Sequence, residues 1–113
     1  MGDEAVFVIV YRWKVDPELE AQFREGWETL TRLYIQLRGS LGSRLHQADD
    51  GTWLAYAEWP SRATWLAAID RGVPDEGAAE KMNAAVLERY DPIFLTPVSD
   101  FLQNNNPEEG EPS

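Results

Sequence analysis

Apolar and polar positions change period along the chain, and each change marks an element. From Val6 to Val15 nearly every residue is β-branched or aromatic, which predicts a central strand covered on both faces. Val6, Val8, Val10 and Arg12 share one face of that strand, and Phe7, Ile9, Tyr11 and Trp13 share the other. At Asp16-Pro17-Glu18 the period lengthens: a side-chain oxygen at the N-cap, proline at the first helical position and an acid in the first turn start a helix. Leu19, Phe23, Trp27, Leu30, Leu33 or Tyr34, and Leu37 keep the helical spacing until Gly39, a natural left-handed terminator.

Alternation returns between Gly39 and Ser61, where two short half-apolar runs flank Asp49-Asp50-Gly51. This reads as a β-hairpin. With Asp50-Gly51 as the two turn residues, Arg44, His46, Ala48, Trp53, Ala55, Ala57 and Trp59 share one face. Leu45, Gln47, Leu54, Tyr56 and Glu58 then share the other. Ser61 caps a short helix through Trp65, Leu66 and Ile69 that ends at Gly72, with Val73-Pro74 preventing its continuation. A third helix is expected from about Gly77, with Ala79, Met82, Val86 and Tyr90 on one stripe, until Asp91-Pro92 stops it. Ile93 to Leu102 reads as a last strand, at an edge or bulged because Pro97 removes a ladder donor. The polar residues 103–113 have nothing to bury and predict a mobile acidic tail, which leaves residues 1–102 as one domain.

Strand, long helix, hairpin, helical region and strand make the β-α-β-β-α-β order of the α+β ferredoxin-like fold, an antiparallel sheet with helices on one face. Since the first strand is apolar on both sides, the bare face calls for a cover. A second copy of the chain supplies it most economically, as a homodimeric α/β barrel.

Composition narrows the partners. Twenty acidic against ten basic residues give a net charge of −10, which repels phosphate backbones and anionic lipid and argues against nucleic acid or a membrane as a partner. The acidic Met-Gly-Asp-Glu-Ala start and the lack of an apolar run of about 20 residues lead to the expectation of a cytoplasmic protein. With no cysteine and a single histidine, thiolate metal sites are excluded and a nitrogen-rich one has little to draw on, so no metal is expected. Five Trp, four Tyr and four Phe among 43% hydrophobic residues make the chain too apolar and too aromatic to be disordered, so it should fold.

Val-Tyr-Arg-Trp-Lys-Val-Asp-Pro at the first strand, Gly-Ser-Leu-Gly-Ser-Arg-Leu in the loop and Tyr-Ala-Glu-Trp-Pro-Ser-Arg-Ala at the third strand resemble the antibiotic biosynthesis monooxygenase superfamily, from Val6 to about Leu102. The resemblance implies a dimeric barrel. For enzymatic members it also implies oxidation of quinols or polycyclic phenols by molecular oxygen without metal or flavin. Haem-degrading relatives carry an Asn and a Trp where Tyr11 and Ala68 stand here, and a His further along, whereas no His follows His46; haem chemistry is not expected. The histidine that many quinol-oxidising relatives carry on the helix after the third strand is also missing, since Ala67-Ala68 occupy that region.

Cofactor-free oxygenation needs a dry aromatic cavity, a base for a phenolic proton, and a donor or cation for the phenolate. On the hairpin face as paired above, His46 would be the base and Arg44 the cation. Trp53 and Trp59 would be stacking walls, with room left by Ala55 and Ala57. Tyr11, Tyr56 and Trp65 complete the candidate substrate-binding set, and Tyr90 is a further candidate for orienting a ligand hydroxyl. Each has a simpler alternative as solvated charge or core packing. The whole chain likewise has an alternative as a non-catalytic homodimer that binds a small aromatic molecule or only packs with itself.

Overall fold

The computed structural model describes residues 6–103, so the expected acidic tail lies, from residue 104 onward, outside the described residues. The β-branched first run forms β1 (Phe7–Val15), and both of its edges are occupied. Along one edge runs β3 (Trp53–Trp59), antiparallel from Phe7 opposite Trp59 to Trp13 opposite Trp53. β2 (Gly42–Gln47) flanks β3. The other edge of β1 takes β4 (Val86–Arg89) and then β5 (Ile93–Leu95). The order β2-β3-β1-β4 is that of a ferredoxin-like antiparallel sheet.

Asp16 accepts from the Glu18 amide (3.0 Å) and opens a 3-10 turn over Pro17–Leu19. The turn passes into α1 (Glu20–Arg38), which presents Phe23 and Leu30 to the sheet and ends at Gly39 with a left-handed φ of 89°. Leu37, expected on the apolar stripe, is exposed. Ser61 caps α2 (Arg62–Asp70), its Oγ accepting from the Thr64 amide at 3.1 Å; Asp75 does the same for α3 (Glu76–Ala84) through the Ala78 amide at 3.0 Å. α3 crosses α1 at Gly26, where backbone meets backbone so closely that a Cβ would lie 2.7 Å from the Ala78 carbonyl oxygen. Among the described residues, no helix is long and apolar enough to cross a membrane.

Three expectations are corrected. First, the hairpin loop holds three residues, not two. The Ala48 amide donates to the Thr52 carbonyl (2.7 Å), Asp50 accepts from the Thr52 amide (2.9 Å), and Gly51 takes a φ of 94°. This is the longer hairpin connection with glycine in the left-handed position. Arg44 therefore pairs with Tyr56, Leu45 with Ala55 and His46 with Leu54. Arg44 and His46 share a face with Leu54, Tyr56 and Glu58, opposite to the Trp53, Ala55, Ala57 and Trp59 face with which they were expected.

Second, the third helix ends at Ala84, and Val86–Arg89, expected to be helical, forms β4. The free edge of β1 offers these residues ladder bonds, and the buried Ala85 carbonyl is fixed by the Asp16 amide at 2.8 Å. Tertiary pairing outweighs a weak helical preference here. Third, the last strand is three residues long, not ten. β4 and β5 follow one another on the same edge of β1. Between them Tyr90 still donates to the Arg12 carbonyl (3.1 Å), Pro92 has no N–H to give, and the register slips by one residue. No strand forms from Thr96 to Gln103.

Candidate active site

The helix-covered face of the sheet carries two aromatic clusters. At one end Phe23 meets Trp13 and Trp53 edge to face, with ring centroids 5.1 and 5.6 Å apart. At the other, Phe7, Ile9, Ala57, Trp59 and Ala68 pack together. Tyr11 and Tyr34 touch both clusters. Between them lies a cavity of about 360 Å³, within the range of pockets that bury a small molecule.

Its floor is the sheet: Tyr11, Trp13, Ser43, Ala57 and Trp59. α1 supplies Trp27, Leu30, Thr31 and Tyr34 as one wall. Ala79, Met82 and Asn83 of α3 form the other, and Ile69 and Val73 close the α2 side. Arg89 enters because it pairs with Trp13 in the β1–β4 ladder and so projects from the same face. Its guanidinium donates to the Asn83 side-chain oxygen at 2.7 Å. Ala57, opposite Ile9, lines the cavity beside Trp59, whereas Ala55 and Trp53, expected to share in that space, are buried in the core and do not line it.

The phenols set the chemistry of this space. The Tyr11 hydroxyl accepts from the Trp65 indole N–H at 3.1 Å. Burial raises its pKa above the usual 10, the Trp65 bond offsets part of that rise, and the neighbouring Tyr34 phenol adds to it. Burial likewise raises Tyr34, against the pull of Arg38. At neutral pH both are uncharged O–H groups. Among the described residues, the lining includes no carboxylate and no imidazole, and Arg89 is its single cation. Nor do three His, Cys, Asp or Glu side chains gather among the described residues as a metal site would need.

Of the residues singled out from sequence, Tyr11 and Trp59 line the cavity, and Trp65 stands behind Tyr11 as its hydrogen-bond donor. Trp53 is core, packed on Phe23. Tyr56 lies on the opposite face, where its hydroxyl donates to Glu58 at 3.1 Å. Arg44 and His46 are exposed on that same face of the outer strand. Tyr90 lies under the Arg12 guanidinium, 5.6 Å from ring centre to Cζ. Sequence reading missed Tyr34, Asn83 and Arg89 as site residues. Tyr34 was visible only as part of a core stripe, and Arg89 was hidden by the helical assignment of 77–90.

The sequence profile of a family described as antibiotic biosynthesis monooxygenase matches residues 6–71. No curated protein sequence matches the chain. Among solved structures, the N63A mutant of SnoaB, a cofactor-independent oxygenase from Streptomyces nogalater, superposes with a TM-score of 0.72 at 15% identity, covering 88% of this chain and 100% of that one. A protein from Bacteroides thetaiotaomicron carrying the same family name gives 0.72 at 18% identity, over 92% and 100%. A conserved protein from Methanosarcina mazei Go1 gives 0.68 at 13%, over 80% and 91%. At these identities the likeness is one of fold.

Proposed function

The chain belongs to the antibiotic biosynthesis monooxygenase family, and from that premise we propose that it oxidises an aromatic quinol or polycyclic phenol with molecular oxygen and without a cofactor. The observation that carries this reading is the aromatic cavity between sheet and helices, whose polar groups among the described residues are uncharged apart from one cation, Arg89. In this reading a flat ring system lies in the cavity against Trp59, Trp27 and Leu30, and its oxygens meet Tyr11, Tyr34 and Asn83. With no carboxylate or imidazole in the lining among the described residues, the phenolic proton leaves to water at the open side. Arg89 and the tyrosine hydroxyls lower the substrate's own pKa by stabilising the phenolate. The electron-rich phenolate passes one electron to oxygen, and superoxide and aryloxyl radical join at a ring carbon as a peroxide anion, which takes a proton back from water to become the hydroperoxide. Loss of water then leaves a quinone, so phenol and oxygen give quinone and water in equal amounts.

Oxygen uptake with a panel of electron-rich phenols and quinols, with no flavin or metal added, tests this. Arg89→Ala is expected to lower the rate by roughly 10- to 100-fold, the worth of one hydrogen bond to a charged oxygen. The missing base favours a second reading, a non-catalytic protein that binds a small aromatic molecule. Tryptophan quenching by the panel without oxygen uptake above a no-protein control would decide for it.

In this reading the protein works as a homodimer joined through the second sheet face. Val8 on that face is 1% exposed, yet beside it the chain carries Phe101 and Leu102 at 89 and 80% exposure. A monomer would leave that apolar surface in water. Light scattering at micromolar concentration should give twice the 12.9 kDa chain mass, and a single-chain mass would refute it.

A further inference from the structure

We propose that Trp65 is a positioning residue that fixes Tyr11 as a hydrogen-bond donor, so that the ligand oxygen docking there is an acceptor, a carbonyl or a phenolate. This rests on the assignment of the cavity as the ligand site and specifies the polarity of one of its contacts. A phenol oxygen gives one O–H and accepts along its lone pairs in the ring plane. In Tyr11 the accepting side is taken by the Trp65 Nε1–H at 3.1 Å. The proton is thereby turned away from the indole, and among the described residues no protein group accepts it. It is left to whatever fills the cavity that Tyr11 lines.

The indole is itself held in place. Its ring lies 5.5 Å from Phe7 and 5.4 Å from Phe94, centroid to centroid, and the Arg62 guanidinium sits 4.5 Å from the Phe7 ring centre. Tyr34, across the same cavity, has no such bond among the described residues, so its hydroxyl can donate or accept. The two phenols therefore differ in what they read. Tyr34 tolerates either polarity, whereas Tyr11 selects an acceptor.

The test uses two probes of one shape, 9-fluorenone and fluorene, which differ by the carbonyl oxygen. Binding is followed by tryptophan quenching, and the carbonyl stretch of bound fluorenone by infrared difference spectroscopy. The wild type is expected to bind the ketone roughly five- to tenfold more tightly than the hydrocarbon, the worth of one hydrogen bond, with the stretch moved to lower frequency. Tyr11→Phe should abolish both the preference and the shift. Trp65→Phe, which keeps an aromatic ring against Phe7 and Phe94, should weaken both. In each variant fluorene should bind within about twofold of wild type, because a hydrocarbon uses only the walls. A preference or a shift that survives Tyr11→Phe, or is unchanged in Trp65→Phe, overturns the proposal. Equal binding of the two probes by the wild type overturns it while leaving the cavity as ligand site. Failure of both probes to bind removes the cavity assignment and the proposal together.

Discussion

Gly26→Ala addresses the joint that holds the cavity's two helical walls together. The added Cβ would stand 2.7 Å from the Ala78 carbonyl oxygen, 2.8 Å from Met82 Cβ and 2.9 Å from the Met82 amide nitrogen. Two of these are backbone atoms of α3 and cannot rotate away. Carbon contacts settle at about 3.5–4.0 Å, so α1 and α3 must part by about 1 Å. Overpacking costs about 1–3 kcal/mol, and three contacts below 3.0 Å, two of them to backbone, put this site at the upper end, about 2–3 kcal/mol; the better helix propensity of alanine returns about 1 kcal/mol. The expected net loss is about 1–2 kcal/mol, or a fall in Tm of about 4–8 °C for a chain of this length. Urea and thermal unfolding followed by tryptophan fluorescence measure it. Because Trp27, Leu30 and Thr31 of α1 face Ala79, Met82 and Asn83 of α3 across the cavity, fluorene affinity should change in the same variant. A Gly26→Ala protein as stable as the wild type would refute the close crossing and the cavity shape built on it.

Three further outcomes are expected. Tyr11 and Tyr34 ionise less readily folded than unfolded, so the stability tied to their neutral phenols is full below pH 10 and is lost as pH rises through the raised folded values. The urea midpoint should fall above pH 10 in the wild type and fall less in Tyr11→Phe; identical slopes would count against burial of that hydroxyl. Asp75→Ala removes the acceptor for the Ala78 amide and should cost about 1 kcal/mol, read as a lower urea midpoint with an unchanged m-value. His46→Ala and Arg44→Ala change exposed groups on the face away from the cavity and should alter stability by less than about 0.5 kcal/mol. Neither should reduce oxygen uptake appreciably; a loss of roughly 100-fold in His46→Ala, the mark of a removed general base, would move the chemistry to the other face of the sheet.

The element order, the capped helix starts and the two-sided burial of the first strand were legible because each rests on local chemistry: Asp16 before Pro17, Ser61 before α2, a nearly unbroken β-branched and aromatic run from Val6 to Val15. The site was less legible because it depends on register, which local chemistry fixes only weakly. Asp49-Asp50-Gly51 satisfies a two-residue Asp-Gly turn and a three-residue loop with left-handed glycine equally well, and one residue of slip turns every side chain of β2 to the other face of the sheet. β2, Gly-Ser-Arg-Leu-His-Gln, contains one large apolar residue. That residue held the clue: Leu45 belongs on the covered face, opposite Ala55, and this alone sends Arg44 and His46 away from the tryptophans. Arg89 was lost for a related reason. Read as helix, the stretch after Ala85 points Val86 and Tyr90 inward; read as a strand against β1, it points Arg89 to the side of Trp13. In both places the functional face follows from which residue pairs with which across the ladder, and the cation of the cavity comes from a strand whose partner lies more than seventy residues earlier in the chain.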